Sequence, residues 1–429
     1  TRFKCDWSSD VCSSDLRPYA FDVYVNLTGR EGAAVDPADA IGTRAMLGFR
    51  HDLLAVPFHF HGVIAEMELV HEVDGGRDGD RSVFRLRLVP QLWALGLSMH
   101  SRIFTKKSIP EVITTVLEEA GLGGDDFELR LSGAYAVEEH VCQYRESDLA
   151  FLTRWMEHEG MYYFFEQGGA SEKLVITDDL AVHQTLRPGV VPYHPAKDDE
   201  LAGEALNVAT LIRRTLPADV VVQDYDYAKP ALDVLGTAAV SRDGLAHVSV
   251  YGDRVFSPEA AKRVAGFRAA ALAAKGTVLV ARGTHRHLRA GYRFELADHP
   301  RAEVSREWLA TKVEHVGRIT HGVSELDAVI RDASPEVYRV RVEAIPSDVV
   351  YREERATPWP RIHGFENGVV DGPSSSQYAQ IDDQGRYAIK LRFDEGPGKD
   401  GQASTWVRRG QPHAGGPEGF RLPRRRGPE

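Results

Sequence analysis

Two histidines in the first part of this 429-residue chain have a spacing that could support chemistry. His59 and His61 lie two positions apart, so a strand would point both imidazole rings to one face. Imidazole nitrogens are common zinc ligands, and Glu66 or Glu68 could supply an oxygen to the same ion. This arrangement would suit a metal-dependent hydrolase.

Neither this histidine pair nor a second one has enough neighbouring ligands for a metal site. No further His or Cys stands at ligand spacing beside His59 and His61. His285 and His287 have the same two-residue spacing and also lack a further ligand. The sequence therefore favours surface or core histidines in both places. A metal-dependent hydrolase using His59 and His61 is kept as the less favoured alternative.

The other patterns of catalytic residues also lack support. Adjacent carboxylates such as Glu118 and Glu119 would point to opposite faces of a strand, so we expect them in solvated positions. The nucleophile elbow, the P-loop, the dinucleotide-binding glycine pattern and the H-E-x-x-H zinc motif do not occur. We predict that the chain is not an enzyme and has no catalytic residue, no cofactor and no metal site.

Two further segments could contact a partner. Residues 162–165 are four consecutive aromatic residues that could stack on sugars or bases, but such a strand is more typical of a core element packed on both faces. Arg421 and residues 424–426 could contact an acidic partner, yet the Pro and Gly content around them favours an unstructured tail.

Composition narrows the classes of function. The hydrophobic fraction of 43% and the charged fraction of 27% are typical of an ordinary globular protein. A net charge of −11 opposes binding to a phosphate backbone, so we expect no nucleic-acid partner. No apolar run approaches the roughly 18 residues of a membrane helix, and no signal-peptide pattern follows Thr1, so we expect no stable membrane insertion. Cys142 is expected to be a reduced thiol, as cytoplasmic assembly would allow.

The elements that would position these residues are mostly strands. Alternating or compact apolar patterns predict strands at residues 21–27, 58–69, 83–89, 161–166, 246–250, 277–282, 292–296, 310–317 and 338–344, with a turn at 75–80 and a hairpin at 379–393. Three helices are predicted: one from Ser108 to Gly121, one from Ser147 to Gly160, and one from Ser257 to Gly276. Residues 188–205, rich in Pro, Gly and acidic residues, are predicted to connect two modules. The predicted fold class is mainly β with helical insertions.

Residues 142–165, CQYRESDLAFLTRWMEHEGMYYFF, resemble the signature of the VgrG and phage baseplate-hub family. Supporting similarities lie at residues 60–63, 225–230, 291–300, 362–364, 383–393 and 405–408, so the resemblance covers residues 17–420. It implies two similar hub barrels joined by helical insertions and followed by a partial, oligonucleotide-binding (OB) type β-barrel. The implied boundaries are 17–105 for the first barrel, 106–190 for a helical and β insertion, 191–350 for the second barrel with one helix, and 351–429 for the partial barrel.

The same resemblance implies a structural role in a contractile type VI secretion machine. A homotrimer would dock on the end of a hexameric Hcp-type tube, contact baseplate components, assemble in the bacterial cytoplasm and be secreted by contraction without a signal peptide. Cap protein and effectors would bind only if the family's β-helix needle were present. A phage or phage-like tail baseplate hub is the alternative within the same fold.

Both ends depart from the family pattern. Residues 1–16 have no apolar periodicity and contain a near-repeat, which predicts an artefact or a disordered tail. Residues 421–429 replace an expected strand, which predicts a chain truncated before the needle. Within the signature, Arg145, Glu146 and Asp148 are candidates for recognition or for structure, and Ser147 and Asp148 are placed to cap the helix that follows.

Overall fold

The computed structural model describes residues 2–4, 18–28, 36–49, 58–73, 81–195, 204–318, 338–398, 401, 406–410, 413, 419 and 424–427. Within these ranges the fold is mainly β with helical insertions, which confirms the predicted class. Among the helices described, none is long and apolar enough to cross a membrane.

Strands and helices follow one another in three stretches. The first stretch contains β1 (Arg2–Lys4), β2 (Phe21–Thr28), α1 (Pro37–Ala40), β3 (Arg44–Phe49), β4 (Phe58–Val73), β5 (Arg81–Val89), β6 (His100–Phe104) and β7 (Lys107–Ser108). The second contains α2 (Ile109–Glu119), β8 (Phe127–Arg130), β9 (Val137–Glu138), β10 (Val141–Glu146), α3 (Asp148–Glu159), β11 (Tyr162–Glu166), β12 (Lys173–Thr177) and β13 (Thr185–Pro192). The third contains β14 (Leu206–Arg213), β15 (Asp219–Asp224), β16 (Val234–Ala239), β17 (His247–Tyr251), α4 (Pro258–Ala273), β18 (Thr277–Gly283), β19 (Arg293–Ala297), β20 (Glu307–Arg318), β21 (Tyr338–Pro346), β22 (Gly368–Val370), β23 (Tyr387–Leu391) and β24 (Trp406–Val407). Short 3-10 helices lie at Gln91–Gly96 and Leu180–Val182.

The strands predicted between residues 21 and 344 are all present, with ends that differ by a few residues. In β2 the side chains of Phe21 and Val23 are buried and that of Asp22 is only half-buried, as the alternating pattern predicts. The predicted turn at residues 75–80 lies outside the described residues.

The three predicted helices begin and end where their capping residues predict. At the start of α2 the Glu111 carboxylate accepts hydrogen bonds from both the backbone N–H and the hydroxyl of Ser108, each at 2.7 Å. Gly121 follows this helix with φ of +87°, a left-handed conformation that glycine adopts without strain. Ser257 accepts a hydrogen bond from the Ala260 N–H at 3.1 Å and begins α4.

Eleven strands form the largest sheet in the described residues. Its main path runs β14, β18, β21, β20, β1, β2, β5, β4, β3, and β19 pairs with β20 as a branch that continues to β13. All pairs are antiparallel except β13 with β19, which are parallel. Such antiparallel pairing lets one face of a sheet pack on a core while the other meets solvent.

The chain divides into two compact units, each built from three segments. The larger unit contains Thr1–Trp93, Gly124–Ser132 and Glu157–Ala356, and the smaller unit contains Ala94–Gly123, Gly133–Met156 and Thr357–Glu429. The larger unit holds the large sheet, the sheet β11-β12-β8 and the sheet β16-β15-β17 against α4. Its main core includes Trp308, which is completely buried and donates its indole N–H to the Val304 carbonyl at 2.9 Å. The domain boundaries given by the resemblance stay a prediction.

The irregular regions differ from the predictions in three details. The predicted hairpin at 379–393 is present around its turn, where the Asp382 N–H donates to the Arg386 carbonyl at 3.2 Å and Ile381 bridges Tyr387, but its first arm is not a regular strand and β23 ends at Leu391. The connection predicted at 188–205 begins later than expected, because β13 continues to Pro192 and pairs with β19; residues 196–203 lie outside the described residues. The tail predicted to be unstructured is ordered at residues 424–426, whose backbone bonds to residues 377–379.

Part of the first sixteen residues belongs to the large sheet. Arg2–Lys4 form β1, which pairs with β2 on one side and β20 on the other. The rest of that segment lies outside the described residues, and so does Arg421. Whether the segment is an artefact or a tail stays a prediction.

Candidate functional site

The paired histidines of β4 take part in the sheet. The ring centres of His59 and His61 lie 6.4 Å apart, and the backbone N–H of His61 donates to the Gln167 side-chain oxygen at 2.9 Å. Burial lowers the pKa of His61. Within the described ranges, no group of three or more His, Cys, Asp or Glu residues comes close enough to hold a metal ion. The structure therefore gives the hydrolase alternative no ligand set in those ranges.

The second pair is buried. His285 and His287 have ring centres 5.9 Å apart and are 3% and 8% exposed. Burial lowers the pKa of His285 to about 4, and the neighbouring His287 adds to the effect. These are neutral core histidines at physiological pH.

The four aromatic residues at 162–165 form most of β11 and are all buried. This strand pairs with β12, and Tyr162 packs edge-on against Tyr351 at 4.9 Å between ring centres. The Tyr162 hydroxyl donates to Nε2 of His183 at 2.9 Å, and Nδ1–H of His183 donates to the Gly291 carbonyl at 2.8 Å. The prediction of a core strand is confirmed, and these rings are not available to stack on a sugar.

The signature segment organises a cluster of buried polar groups in the smaller unit. At the start of α3, Asp148 is 7% exposed and accepts hydrogen bonds from three side chains: Arg102 at 2.8 Å, Gln143 at 2.9 Å and Ser98 at 2.8 Å. Arg102 also donates to Gln143 at 2.8 Å. Ser147 caps the helix, since its hydroxyl accepts the Ala150 N–H at 3.2 Å. The predicted cap is present, and Asp148 is a structural residue.

A second ion pair lies one to two turns along the same helix. Arg154 is 1% exposed and donates two hydrogen bonds to the Glu146 carboxylate, at 2.8 and 2.6 Å. It also donates to the Cys142 carbonyl at 2.7 Å, and its guanidinium carbon lies 4.4 Å from the centre of the Trp359 ring. Such planar, two-point pairing and stacking on an aromatic face are interactions that arginine makes and lysine does not. Glu146 is therefore structural as well.

Arg145 differs from its neighbours in the signature. It is exposed, and its backbone has φ of +48°, a left-handed conformation that is uncommon for residues with a side chain. Its backbone N–H donates to the Ser101 hydroxyl at 3.1 Å, and its guanidinium lies 5.1 Å from the centre of the Tyr144 ring. Of the three signature candidates, Arg145 alone presents its side chain to solvent.

The last turn of α3 carries buried charges that belong to the larger unit. His158 and Glu159 interact at 2.9 Å, and Arg263 pairs with Glu159 at 2.8 Å. Burial alone would raise the pKa of Glu159, but the hydrogen bond from His158 and the charge of Arg263 hold it below its usual value.

Asp253 is the second anion of this cluster. It accepts two hydrogen bonds from Arg268, each at 2.9 Å, and pairs with Arg355. Burial would raise the pKa of Asp253, but these two guanidinium groups keep it below its usual value. Burial lowers the pKa of Arg355 to about 10, although Asp253 acts in the opposite direction. These charges neutralise one another inside the fold and offer no open reactive group.

Sequence reasoning did not find most of these partners. Glu146 and Arg154 lie eight residues apart, a spacing that no strand or helix rule connects, because the chain turns between β10 and α3. Asp253 and Arg355 are separated by 102 positions. Only the cap at Ser147 carried a local sequence signal.

Comparison with known proteins places this arrangement in a family. The profile described as phage tail baseplate hub (GPD) matches residues 16–320, more than half of the chain. This chain belongs to that baseplate hub family. In this member the signature segment is a strand, a helix and a strand whose charged residues are mostly buried, with Arg145 exposed.

Several relatives of this baseplate hub chain are spike proteins of Pseudomonas aeruginosa. It is 29% identical over 363 residues to the type VI secretion system spike protein VgrG1b, spanning 83% of this chain and 47% of that protein. It is 28% identical over 363 residues to VgrG1a, spanning 83% of this chain and 54% of that protein. The chain thus spans about half the length of these curated relatives.

Solved structures share the fold. An Escherichia coli component of the type VI secretion system, c3393, matches with a TM-score of 0.65 and 19% identity over 95% of this chain and 89% of that one; it is described as similar to the T4 bacteriophage tail proteins gp27 and gp5. The 43 kDa tail protein of prophage MuSo2 from Shewanella oneidensis matches with a TM-score of 0.52 and 11% identity over 82% of this chain and 100% of that one. These likenesses establish the hub fold.

Proposed function

We propose that this chain is a structural spike or hub component of a contractile type VI secretion machine. The observation that carries the proposal is the alignment to spike proteins, which extends over 83% of the chain. The fold supports the same role, because its match to a secretion-system component covers nearly the whole chain. Delivery would require cohesion under load, and no cofactor takes part in that task.

Symmetry supports the proposed trimeric assembly. Three copies would present six similar barrels, two from each chain, with the boundaries 17–105 and 191–350. A pseudo-sixfold face of this kind can seat on the end of a hexameric Hcp-type tube and would match the tube's symmetry. Residues 351–429 would contribute part of an OB-type barrel. The three-stranded sheet β22-β23-β24 in this region is compatible with such a barrel.

The pairing of buried charged side chains in the described part of the chain agrees with a non-enzymatic role. The buried carboxylates of the signature and of the last turn of α3 pair with arginines or accept internal hydrogen bonds. One relative is named an actin cross-linking toxin, VgrG1 of Vibrio cholerae, but the alignment spans only 30% of that protein. We do not extend its activity to this chain.

The proposed route is assembly in the bacterial cytoplasm on baseplate components, followed by release with the tube. Cap protein and effectors would bind only if the family's needle were present. The fold is shared, with TM-scores of 0.55, by the VgrG of PdpA-VgrG complexes, one of them from Francisella, which supports the proposal that a hub of this fold binds other proteins.

Mass in solution is the test of assembly. We expect multi-angle light scattering to give three times the 47.6 kDa of one chain, and we expect the trimer to co-sediment with Hcp-type tubes. A strictly monomeric protein across the micromolar range that does not bind tubes would contradict the proposal. Tubes with blocked ends provide the control for binding along the tube wall.

A phage or phage-like tail hub is the second candidate, because the matching family is named for phage tails and a prophage protein shares the fold. The neighbouring genes distinguish the two. Genes for a secretion sheath and Hcp-type tube beside this one would favour secretion, whereas phage capsid and tail genes would favour the alternative.

A further inference from the structure

The smaller unit presents one aromatic side chain that is fully exposed. Phe365 is 102% exposed and lies in residues 361–367, where Ile362 is also 47% exposed. Gly364, directly before Phe365, has a left-handed backbone with φ of +117°. A single exposed apolar residue needs no explanation by itself. What distinguishes Phe365 is how its segment is held and which charged residues lie around it.

The segment is fixed to the signature at the residue that follows Phe365. The Tyr144 hydroxyl donates a hydrogen bond to the Glu366 carboxylate, and the Tyr144 ring packs edge-on against Phe393 with 5.0 Å between ring centres. Tyr144 is 8% exposed, so this anchor is part of the packed unit. Phe365 is therefore presented by a fixed segment, and a side chain that is held in place loses less entropy when it binds a partner.

The same tyrosine contacts Arg145. The register between β10 and β6 shifts between Gln143 and Glu146, which is a β-bulge, and a bulge can turn a side chain away from the sheet. Arg145 lies in this bulge with φ of +48° and is exposed, with its guanidinium 5.1 Å from the centre of the Tyr144 ring. One side chain thus connects Arg145 to the segment that carries Phe365.

The cations of this region, and not its carboxylates, are available to a partner. Three carboxylates accept hydrogen bonds within the unit: Glu366 from the tyrosine hydroxyl, and Asp394 and Glu395 from backbone N–H groups of β6. Arg145 and Arg361 are exposed and form no ion pair with the described residues. Two such cations beside an apolar side chain are complementary to an acidic surface that has an apolar pocket.

We propose that Arg145, Arg361 and Phe365 form a docking surface for a protein whose own surface has carboxylates beside an apolar pocket. The ring would enter the pocket and the guanidinium groups would pair with the carboxylates at its rim, since aromatic and arginine side chains contribute most to such contacts. Nucleic acid and anionic membranes suit this surface less, because they repel a chain with a net charge of −11. Only the partner's membership of the secretion machine rests on the function proposed above.

Photo-crosslinking from position 365 tests the surface in the cell. The full chain carrying Phe365→p-benzoylphenylalanine, an aromatic change at a fully exposed site, is produced in the bacterium that carries the gene. We expect a crosslink to a different, acidic protein at a peptide that contains Asp or Glu, and Arg145→Asn should reduce the yield roughly fivefold or more. The same label at Tyr378, which is 60% exposed in the same unit, should not give this crosslink.

The crosslink can contradict the proposal in several ways. No product beyond that of the Tyr378 control, a yield that Arg145→Asn leaves unchanged, a peptide without carboxylates, or attachment to lipid or to a second copy of this chain would each overturn it. An acidic partner from outside any secretion machine would support the surface and count against the function proposed above. Absence of a crosslink from a trimer that still binds Hcp-type tubes would overturn the surface alone.

Affinity for the partner identified in this way, once purified, gives the second test. Phe365→Ser should weaken binding about tenfold or more and Arg361→Gln about threefold or more, and raising sodium chloride from about 50 to 300 mM should also weaken it. Tyr378→Ser should bind like the unmodified chain. Because Phe365 is fully exposed, Phe365→Ser should keep the Tm, which separates lost binding from lost folding. Equal affinities of the two serine variants would contradict the proposal.

Discussion

Arg154 is the residue on which the packing of the signature helix most depends. It is nearly completely buried, pairs with Glu146 through two hydrogen bonds and stacks on Trp359. Removing one partner of a buried pair leaves the other charge without compensation, which typically costs about 3–5 kcal/mol. The energy of the pair as a whole is smaller, because both charges lose hydration on folding.

We therefore expect Arg154→Met to lower the free energy of unfolding by about 3 kcal/mol. The measurement is urea unfolding followed by the fluorescence of the adjacent Trp155 and Trp359. Arg213→Met is the control, since Arg213 pairs with Glu303 at the surface and should change stability by less than about 1 kcal/mol. Equal effects of the two variants would mean that the buried pair contributes no more than an exposed one.

His183 makes the stability of the fold depend on pH in the acid range. Burial lowers its pKa to about 4, and its two ring nitrogens are used by Tyr162 and Gly291 in the neutral form. The unfolded chain, with a histidine pKa near 6.5, binds this proton more readily than the folded one. Stability from this group is therefore complete above about pH 6.5 and is lost as the pH falls toward 4.

We expect the unmodified chain to lose about 2 kcal/mol from His183 between pH 7 and pH 5. His183→Gln should reduce the pH dependence by this amount, leaving the part due to the buried His285 and His315. His363→Gln, at an exposed histidine, should leave it unchanged. Urea midpoints at the two pH values provide the measurement, and identical pH slopes for the three proteins would refute the assignment.

At the scale of elements, the contact between β16 and α4 requires a glycine. A Cβ atom added to Gly236 would lie 2.2 Å from the backbone of Ala261, so the strand and helix could not approach as they do. The face of the sheet toward the helix is lined by small or β-branched residues, including Val220 and Val222, which allow this close packing.

We expect Gly236→Ala to lower the Tm and to reduce the free energy of unfolding by about 1–3 kcal/mol, because the backbone must move. Gly266→Ala, a matched change inside α4 where a methyl group meets nothing within 4 Å, should instead stabilise by about 0.5–1 kcal/mol through helix propensity. Calorimetry of the two variants compares them directly. A neutral Gly236→Ala would show that the helix and strand are farther apart than described.

At the scale of the whole molecule, exposure sets Arg145 apart from its neighbours in the signature. Its neighbours Glu146 and Asp148 are committed to internal pairs, whereas the Arg145 side chain is exposed on a left-handed backbone. Residues held in such conformations often serve function. We propose that Arg145 is the recognition residue of the signature, acting within the assembly proposed above.

Arg145→Asn should keep the trimer mass and change stability by less than about 1 kcal/mol, since asparagine tolerates the left-handed conformation. It should weaken binding to Hcp-type tubes or baseplate components by at least tenfold in co-sedimentation. Arg242→Asn, at another exposed arginine, should bind normally. Normal binding by Arg145→Asn would assign the residue a structural role.

Local sequence determined the elements of this protein. Alternation in 21–27 and 338–344 specified strands because a half-buried sheet buries every second side chain, and Ser108, Ser147 and Ser257 marked helix starts because they satisfy free backbone N–H groups. The signature at 142–165 also carried the family resemblance, which the comparisons confirm.

Only the tertiary structure decided which charged residues are committed to the interior. The sequence left Arg145, Glu146 and Asp148 equivalent, and it could not pair Glu146 with Arg154 or Asp253 with Arg355, because burial and long-range contacts have no local pattern. The histidine pairs show the same limit. The sequence showed no further His or Cys at ligand spacing beside His59 and His61, but whether a distant residue of the described ranges joins them was decided only by the assembled strands.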